Sequence, residues 1–252
     1  MIRLRGIEKR YGQFQAVHPL DLEVYKGEVF GFLGPNGAGK TTTNRIIAGV
    51  LPATAGQVFI DGIDMAKDPV ECRRRIGFIP DRPFTYEKLT AREFLQFIGG
   101  IYGMESSLIE ERSESVLNEN GLLDRADELI EAYSHGMKQR LVLSAAVLHD
   151  PPVLIVDEPM VGLDPHGARR IKNLFRDLAG TGHTVFLSTH SLDVAQEVCD
   201  RVGILYKGRI VALGKVDELM NSGDKDLEAV FLRITEEEEE DLLMEADRLI
   251  EA

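Results

Sequence analysis

One short segment near the start of the chain constrains its fold more than any other, because three glycines precede a lysine and two threonines at fixed spacing. In order, the segment contains Gly34, Pro35, Asn36, Gly37, Ala38, Gly39, Lys40, Thr41 and Thr42. Residues 28–33 before it are typical of an apolar strand, and residues 39–48 are typical of a helix. Such a loop lets successive backbone N–H groups point at phosphate oxygens, helped by the dipole of the following helix. The alternative is a plain glycine-rich turn, and the lysine and threonine in register favour a phosphate-binding loop.

Two side chains of this phosphate loop, residues 34–42, indicate which ligand it holds. Lys40 is placed to reach the β- and γ-phosphates of a nucleotide. The hydroxyl of Thr41 is placed to ligate Mg²⁺. The sequence therefore predicts that Mg-ATP binds here.

A second strand-like run, residues 153–156, ends in two acids. Because adjacent residues on a strand point in opposite directions, Asp157 and Glu158 are expected to have different tasks. Asp157 suits Mg²⁺, directly or through water, and Glu158 suits a general base that polarises the attacking water. The alternative is two solvated acids, which the nearby phosphate loop disfavours. His190 follows a further strand-like run, residues 184–189, and could contact the γ-phosphate.

Strand-like and helix-like segments alternate elsewhere, which predicts an α/β sheet. Residues 58–60 are expected to form a strand and residues 164–178 a helix, and Lys207 and Gly208 a hairpin turn between two strands. Between residues 84 and 150 apolar side chains recur at helical spacing, which predicts a helical insertion.

The charge is unevenly distributed along the chain. The net charge is −13, and residues 217–252 hold fourteen acidic residues against three basic ones, so residues 1–216 carry only about −2. Neither part has the basic stripe typical of nucleic-acid binding. No run approaches the length of a membrane span and no signal peptide is evident, so we expect a cytoplasmic protein. Two distant cysteines predict reduced, mostly buried thiols.

The acidic end has a helical pattern of its own. Apolar residues 227, 230, 231 and 234 recur at helical spacing and predict a short helix. Thr235 and Glu238 fit a capping box, so the run of five glutamates at 236–240 is expected to begin a second helix rather than form a partner-binding tract.

A further segment precedes the strand that ends in the two acids. It contains Tyr133, Ser134, His135, Gly136, Met137, Lys138, Gln139 and Arg140. This segment resembles the signature motif, usually written LSGGQ, of ATP-binding-cassette (ABC) ATPases. With the residues discussed above, the ordered motifs of that family extend from Tyr11 to His190. The chain thus resembles the ATP-binding proteins of ABC transporters, in the ABC-2-type or multidrug exporter branch.

The resemblance implies an α/β fold: a P-loop NTPase core of ABC ATPase type, an antiparallel β subdomain and a helical subdomain at about 85–150. Residues 1–216 would form the nucleotide-binding domain, and residues 217–252 an acidic helical tail. The tail could extend a dimer interface, dock on a permease or cover apolar surface.

The resemblance also implies roles for single residues. Tyr11 would stack on adenine, with Val17 beside it. Ser134 and Gly136 would contact the γ-phosphate of ATP held by a second subunit, and Asp164 would align that interface. His190 would sense the γ-phosphate.

Two departures from the family pattern concern the signature and the metal. The signature keeps Ser134 and Gly136, the groups that touch phosphate, so function is expected to be retained. Asp81 stands where the family usually has glutamine, and its shorter, charged side chain could reach Mg²⁺ directly or through water.

These patterns predict an ATP-hydrolysing subunit, with ATP and Mg²⁺ as cofactors, that powers transport through a separate membrane permease. Its partners would be a second nucleotide-binding subunit, in a homodimer or heterodimer, and permease subunits, but no nucleic acid. The chain would lie at the cytoplasmic face of the membrane. The alternatives are a soluble ABC ATPase that acts on ribosomes, DNA or iron–sulfur assembly, and a nucleotide-sensing module without turnover.

Overall fold

A computed structural model describes residues 1–160, 163–220 and 225–236 of the chain. Its strands belong to two sheets. They are β1 (Ile2–Tyr11), β2 (Phe14–Val24), β3 (Val29–Leu33), β4 (Ala55–Ile60), β5 (Ile63–Asp64), β6 (Ile76–Ile79), β7 (Val153–Asp157), β8 (Thr184–Thr189), β9 (Arg201–Tyr206) and β10 (Arg209–Lys215). The α-helices are α1 (Lys40–Ile47), α2 (Pro69–Arg74), α3 (Ala91–Ile101), α4 (Ser106–Glu119), α5 (His135–Val147), α6 (Pro165–Gly180), α7 (Leu192–Val198) and α8 (Val216–Met220).

The larger sheet places the predicted catalytic segments at the carboxyl ends of its parallel strands. Its strand order is β10-β9-β3-β8-β7-β6. The five strands from β9 to β6 in this order run parallel to one another, and β10 pairs with β9 in antiparallel register. Strands β3, β7 and β8 are buried along their whole length, as apolar strands covered on both faces must be. Because β3, β8 and β7 are adjacent, the phosphate loop, the two acids and His190 follow strand ends on the same side of the sheet.

The smaller sheet is antiparallel, with strand order β2-β1-β4-β5. Apolar residues of β1, β2 and β4 share a core cluster with residues of α1 and of the larger sheet. The two sheets therefore pack on a common core, and the antiparallel subdomain implied by the family resemblance is confirmed.

The predicted hairpin at Lys207 and Gly208 is confirmed, since β9 and β10 pair in antiparallel register around it. Both residues have positive φ (44° and 79°), as a two-residue turn of type I′ requires. Gly208 also touches the nucleotide side of the molecule, because its N–H donates to the carbonyl of Ala38 at 2.9 Å. A Cβ at Gly208 would lie 2.9 Å from the carbonyl oxygen of Ala16, so only glycine fits there.

Residues between β6 and β7 are mostly helical and have their own apolar cluster. Helix α3 begins at a capping box, in which Thr90 accepts from the N–H of Glu93 and Glu93 accepts from the N–H of Thr90. The helical subdomain is thereby confirmed as part of the fold, while its limits at 85–150 stay a prediction.

The acidic end begins as a helix over residues 227–236, as its apolar spacing predicted. Leu227 and Val230 are fully buried in the apolar cluster of the larger sheet, and the N–H of Leu227 donates to Gln196 at 3.0 Å. The expectation that Thr235 caps a second helix is wrong. Thr235 lies inside this helix, and its hydroxyl donates to the carbonyl of Phe231 at 2.8 Å. Glu238 and the second helix lie outside the described residues, and the boundary at 216/217 stays a prediction.

Both cysteines are free and buried, as their spacing predicted. Burial raises the pKa of the Cys72 and Cys199 thiols, which keeps them protonated. Within the described parts of the chain, no helix has the length and apolarity needed to cross a bilayer.

Candidate nucleotide site

The phosphate loop curls around the amino end of α1 and lines a cavity of about 390 Å³. The Lys40 side chain is buried, with its ammonium group donating to the carbonyls of Gly34 (2.7 Å) and Pro35 (3.2 Å). Burial lowers the pKa of Lys40, and the charges of Glu158 and Asp157 oppose that effect. A fixed cation is thus held inside the loop, where phosphate oxygens are expected.

Glycine is required in the loop for two physical reasons. Gly39 has φ 108°, a conformation that side chains with a Cβ rarely adopt. A Cβ there would also lie 2.7 Å from the carbonyl oxygen of Ala16. At Gly34 a Cβ would lie 2.3 Å from the carbonyl oxygen of Leu205. The loop therefore packs directly against the neighbouring strands β2 and β9.

The remaining members of the loop divide between its core and its rim. Asn36, Gly37, Thr41 and Thr42 line the cavity. Ala38 is buried, and its N–H donates to the carbonyl of Pro35 at 3.2 Å, which closes the turn. The structure thus brings the predicted phosphate-binding residues together in one loop.

Asp157 ends β7 and is only 1% exposed. Its Oδ1 accepts a hydrogen bond from the hydroxyl of Ser188, the residue opposite it on β8. Burial raises the pKa of the Asp157 carboxyl, and the hydrogen bond from Ser188, with the Thr41 side chain nearby, opposes that effect. Its Oδ2 is buried and has no hydrogen-bond partner among the described residues.

This unpaired oxygen fits a hard cation, which carboxylates bind through oxygen. Thr41 and Asp157 could supply two oxygen ligands of the kind that Mg²⁺ takes beside nucleotide phosphates. In the described ranges no group of three or more His, Cys, Asp and Glu side chains could hold a metal ion. Such a site would thus rely on the phosphates as well as the protein.

Glu158 follows directly, and its backbone leaves the strand with φ 52°. One carboxylate oxygen, Oε1, accepts from the backbone N–H of His190 (3.1 Å) and pairs with its Nδ1 (2.9 Å). The other, Oε2, accepts from the hydroxyl of Thr189 (3.1 Å). Glu158 also lines the cavity, so its carboxylate stands beside the phosphate loop. His190 itself is exposed and reaches the site through Glu158.

Asp81 also lines the cavity and lies 3.7 Å from the guanidinium of Arg45. The carboxylate thus lines the same cavity as Glu158, and it follows β6, the strand next to the one that ends in Asp157. Direct ligation of Mg²⁺ by Asp81 stays a prediction.

The predicted adenine-binding end contains one residue that the sequence did not single out. Tyr11 and Phe14 face each other at the end of the β1–β2 hairpin, line the cavity and are 49% and 65% exposed. Val17 is fully buried and packs under the loop, near Gly39, whereas Ala16 lines the cavity. The fold therefore places Val17 beneath the residues that line the cavity, and an adenine contact from its side chain stays a prediction.

Three predicted residues lie away from this cavity. Ser134 is exposed and caps α5, where its hydroxyl accepts from the N–H of Met137 at 3.3 Å, and Gly136 lies in the first turn. Asp164 caps α6 by accepting from the N–H of Gly167 at 2.7 Å. None of the three belongs to the lining of the cavity that holds the phosphate loop.

Residues 17–161, more than half of the chain, match the family model described as ABC transporter. The chain belongs to the ABC transporter family. The linearmycin resistance ATP-binding protein LnrL of Bacillus subtilis (strain 168) is 37% identical over 238 residues, or 94% of this chain and 76% of that protein. A fluoroquinolones export ATP-binding protein of Mycobacterium tuberculosis is 39% identical over 221 residues, or 87% of this chain and 72% of that protein.

Solved structures of the same family share the fold. The ATP-binding subunit of an ABC transporter superposes with a TM-score of 0.87 at 31% identity, covering 93% of this chain and 99% of that one. A dimeric ATP-binding cassette in a post-hydrolysis state, bound to ADP and Pi, gives a TM-score of 0.78 at 27% identity over 85% and 98% of the two chains. This ABC protein is an ATPase, the nucleotide-binding subunit of a transporter, as the sequence predicted.

The sequence missed several residues of the site of this ABC ATPase. Phe14 and Ala16 line the cavity, and Ser188, Thr189 and Asn44 hold its acids in place directly or through one another. An exposed aromatic near Tyr11 was a usable signal for Phe14. No local pattern marks the others, because their partners are distant in sequence.

Proposed function

We propose that two nucleotide-binding subunits each hold Mg-ATP on the phosphate loop and complete each other's site with Ser134 and Gly136. The observation that carries this proposal is the separation within one chain. The cavity contains Lys40, Thr41 and Glu158, while Ser134 is exposed at the start of α5. A hydroxyl and a helix N-terminus facing outward suit the γ-phosphate of ATP on a second subunit.

Within one such site the residues have distinct tasks. Lys40 and the loop N–H groups would hold the β- and γ-phosphates, and Thr41, Asp157 and Asp81 would hold Mg²⁺, which supplies charge neutralisation on the phosphates. Glu158, fixed by His190 and Thr189, would take the proton of the attacking water. Tyr11 would stack on the adenine ring.

Mixing of two defective variants tests the shared site. Lys40→Ala removes the loop cation, and Ser134→Asp keeps the cap of α5 but adds a negative charge that repels phosphate. In a mixed dimer one site carries both defects and the other carries neither. We expect each variant alone to be nearly inactive and the mixture to recover up to about a quarter of wild-type ATPase activity, as random pairing puts one intact site in half of the dimers.

Ser134→Asn is the matched control for charge, because it keeps the cap of α5 without the added negative charge, and its activity should lie well above that of Ser134→Asp. Lack of recovery in the mixture, at concentrations where wild type is dimeric and active, would overturn a site shared between two copies of this chain.

We further propose that the ATPase drives export through a separate membrane permease, as the names of its relatives suggest, and lies at the cytoplasmic face through that contact. The support is an exposed aromatic cluster beside the site. Phe84 is 78% exposed, and Tyr86 contacts both Phe84 and Phe97 edge-on. An adjacent cleft of about 730 Å³ extends from Asp81 to His135. A permease segment in this cleft would touch both the metal side and the signature segment.

Capture from detergent-solubilised membranes tests this step. A tagged wild-type chain should retain a polytopic membrane protein, whereas a variant with Phe84→Asp and Tyr86→Asp should lose it and still bind a fluorescent ADP analogue. Retention of ribosomes or nucleic acid, with no membrane protein, would instead support the soluble alternative.

A further inference from the structure

Two consecutive hydroxyl side chains end β8, one beside each acid of the site. Ser188 and Thr189 are 0% and 2% exposed. The hydroxyl of Ser188 donates to Asp157, and the hydroxyl of Thr189 donates to Glu158 at 3.1 Å. A single strand end therefore supplies a separate hydrogen-bond donor to the metal carboxylate and to the base.

We propose that Ser188 and Thr189 are positioning residues with separable tasks: Ser188 orients Asp157 toward Mg²⁺, and Thr189 orients Glu158 toward the attacking water. This inference rests on the proposed Mg-ATP site. It predicts that the two neighbouring hydroxyls, removed one at a time, change different steps.

The direction of the Ser188 hydrogen bond is fixed by a third residue. Asn44 on α1 is fully buried, and its side-chain amide donates to the Ser188 oxygen at 2.6 Å. A hydroxyl has one hydrogen, so with its oxygen accepting from Asn44 that hydrogen goes to Asp157 Oδ1. Donation to Oδ1 favours the ionised carboxylate, and it leaves Oδ2, which has no described partner, for the metal.

The same three residues join the elements that must stay in register. Asn44 lies on the helix that begins at the phosphate loop, Ser188 on β8 and Asp157 on β7. A shift of α1 against the sheet would break the bond from Asn44 and release the orientation of Asp157. Outer-sphere partners of this kind are known to alter metal affinity about 10–100-fold.

Thr189 fixes the base in a comparable way. Its hydroxyl oxygen accepts from the N–H of Ser191 at 3.0 Å, so its hydrogen is available for Glu158 Oε2. The other oxygen, Oε1, is bonded by the N–H of His190. Contacts on both oxygens stop rotation of the carboxylate, and loss of the Thr189 contact leaves one side unrestrained.

Thr184 provides a matched control on the same strand. It is fully buried at the opposite end of β8, where its hydroxyl donates to the carbonyl of Tyr25 at 3.1 Å. Thr184→Val removes a buried hydroxyl far from both acids. It is expected to lower thermal stability without altering the steps assigned to Ser188 and Thr189.

The first measurement is binding of a fluorescent ADP analogue in Mg²⁺ and in EDTA. The dissociation constant in EDTA divided by that in Mg²⁺, called the Mg²⁺ ratio, reports how much the metal tightens binding. Ser188→Ala should lower this ratio about tenfold through weaker binding in Mg²⁺, with binding in EDTA unchanged. Ser188→Thr, which restores a hydroxyl, should recover most of the ratio, and thermal melting verifies that both variants are folded.

The second measurement is steady-state ATPase activity at saturating Mg²⁺. Thr189→Val, which keeps the shape but not the hydroxyl, should lower kcat about tenfold, a part of what a general base contributes. Its KM and the Mg²⁺ ratio should stay at wild-type values, and Thr189→Ser should restore kcat.

The outcomes distinguish a failure of the proposed Mg-ATP site from a failure of the separable roles of Ser188 and Thr189. A wild-type chain whose ADP binding is insensitive to Mg²⁺ would refute the proposed Mg-ATP site itself. With a normal wild type, an unchanged ratio in Ser188→Ala, or equal effects of Ser188→Ala and Thr189→Val on both measurements, would overturn the separable roles alone.

Discussion

The carboxyl end of the larger sheet and the start of α5 contrast sharply, although both are expected to contact ATP, the first in its own subunit and the second in the partner. At the sheet, Asp157 and Lys40 are buried and held by neighbouring groups. At α5, Ser134 is exposed and its hydroxyl bonds the N–H of Met137 in its own helix. The contrast teaches that the groups proposed to do the chemistry are buried and bonded on several sides, while the groups proposed to complete a second subunit's site are exposed.

The largest predicted effect would break the catalytic side of this comparison. Glu158→Gln keeps the size of the side chain and one accepting oxygen, but it replaces the other oxygen by an NH2 group and cannot take a proton. We expect kcat to fall about 10²–10⁴-fold, the usual contribution of a general base, with ATP still bound. Phosphate release measured beside binding of a fluorescent nucleotide tests this, and turnover at the wild-type rate would show that Glu158 is not the base.

An intermediate effect concerns the junction where the helical segment joins the sheet. His149 follows α5 and stacks on Tyr102, with ring centroids 3.6 Å apart. Both of its ring nitrogens are buried and have no hydrogen-bond partner within bonding distance among the described residues, and the nearby carbonyl of Ile76 accepts from the Tyr102 hydroxyl. Burial lowers the pKa of His149 to about 4, from a usual value of 6.5.

The sign of the resulting pH dependence follows from this lowered pKa. The unfolded chain takes up a proton near pH 6.5, whereas the folded one resists until about pH 4, so the contribution of His149 to stability is complete above pH 6.5 and is lost on acidification. His149→Phe keeps the stacking but has no group that titrates. When the pH is lowered from 7 to 5, the unfolding free energy of wild type should therefore fall by about 2 kcal/mol more than that of the variant. Urea unfolding at both pH values measures this; His166→Phe, on exposed α6 surface, should show no such difference.

The smallest predicted effect concerns a single contact between two other regions, the helical segment between β6 and β7 and the part of the fold that contains α6. Arg170 on α6 donates to the carbonyl of Glu119 at the end of α4, at 2.9 Å. Because this contact is exposed, Arg170→Gln should cost about 1 kcal/mol of unfolding free energy. Urea unfolding checks the value against Arg169→Gln, the adjacent exposed arginine. A loss equal to that of the control would mean that Arg170 does not help to join the regions.

Local sequence patterns predicted much of the fold and, within the site, the phosphate loop and the two acids, but not the residues that hold the acids in place. The phosphate loop and the acids after β7 were legible because each is a contiguous motif beside an apolar strand. The link from Asn44 through Ser188 to Asp157 was not, since Asn44 and Ser188 lie 144 positions apart in the sequence and meet only through sheet order. Thr235 misled for a related reason: a threonine three residues before a glutamate fits a cap, but the preceding apolar face packs on the sheet and extends its helix past Thr235.

The bond between Gly208 and Ala38 has a consequence for biosynthesis. The phosphate loop, residues 34–42, is synthesised well before β8, β9 and β10, yet β3 lies between β8 and β9, and Gly208 in the β9–β10 turn bonds Ala38 of the loop. These later strands must therefore leave the ribosome before the neighbours of the loop can assemble around it. Because a ligand stabilises only the state that binds it, ATP at the loop is expected to stabilise the assembled fold rather than fragments that lack these strands.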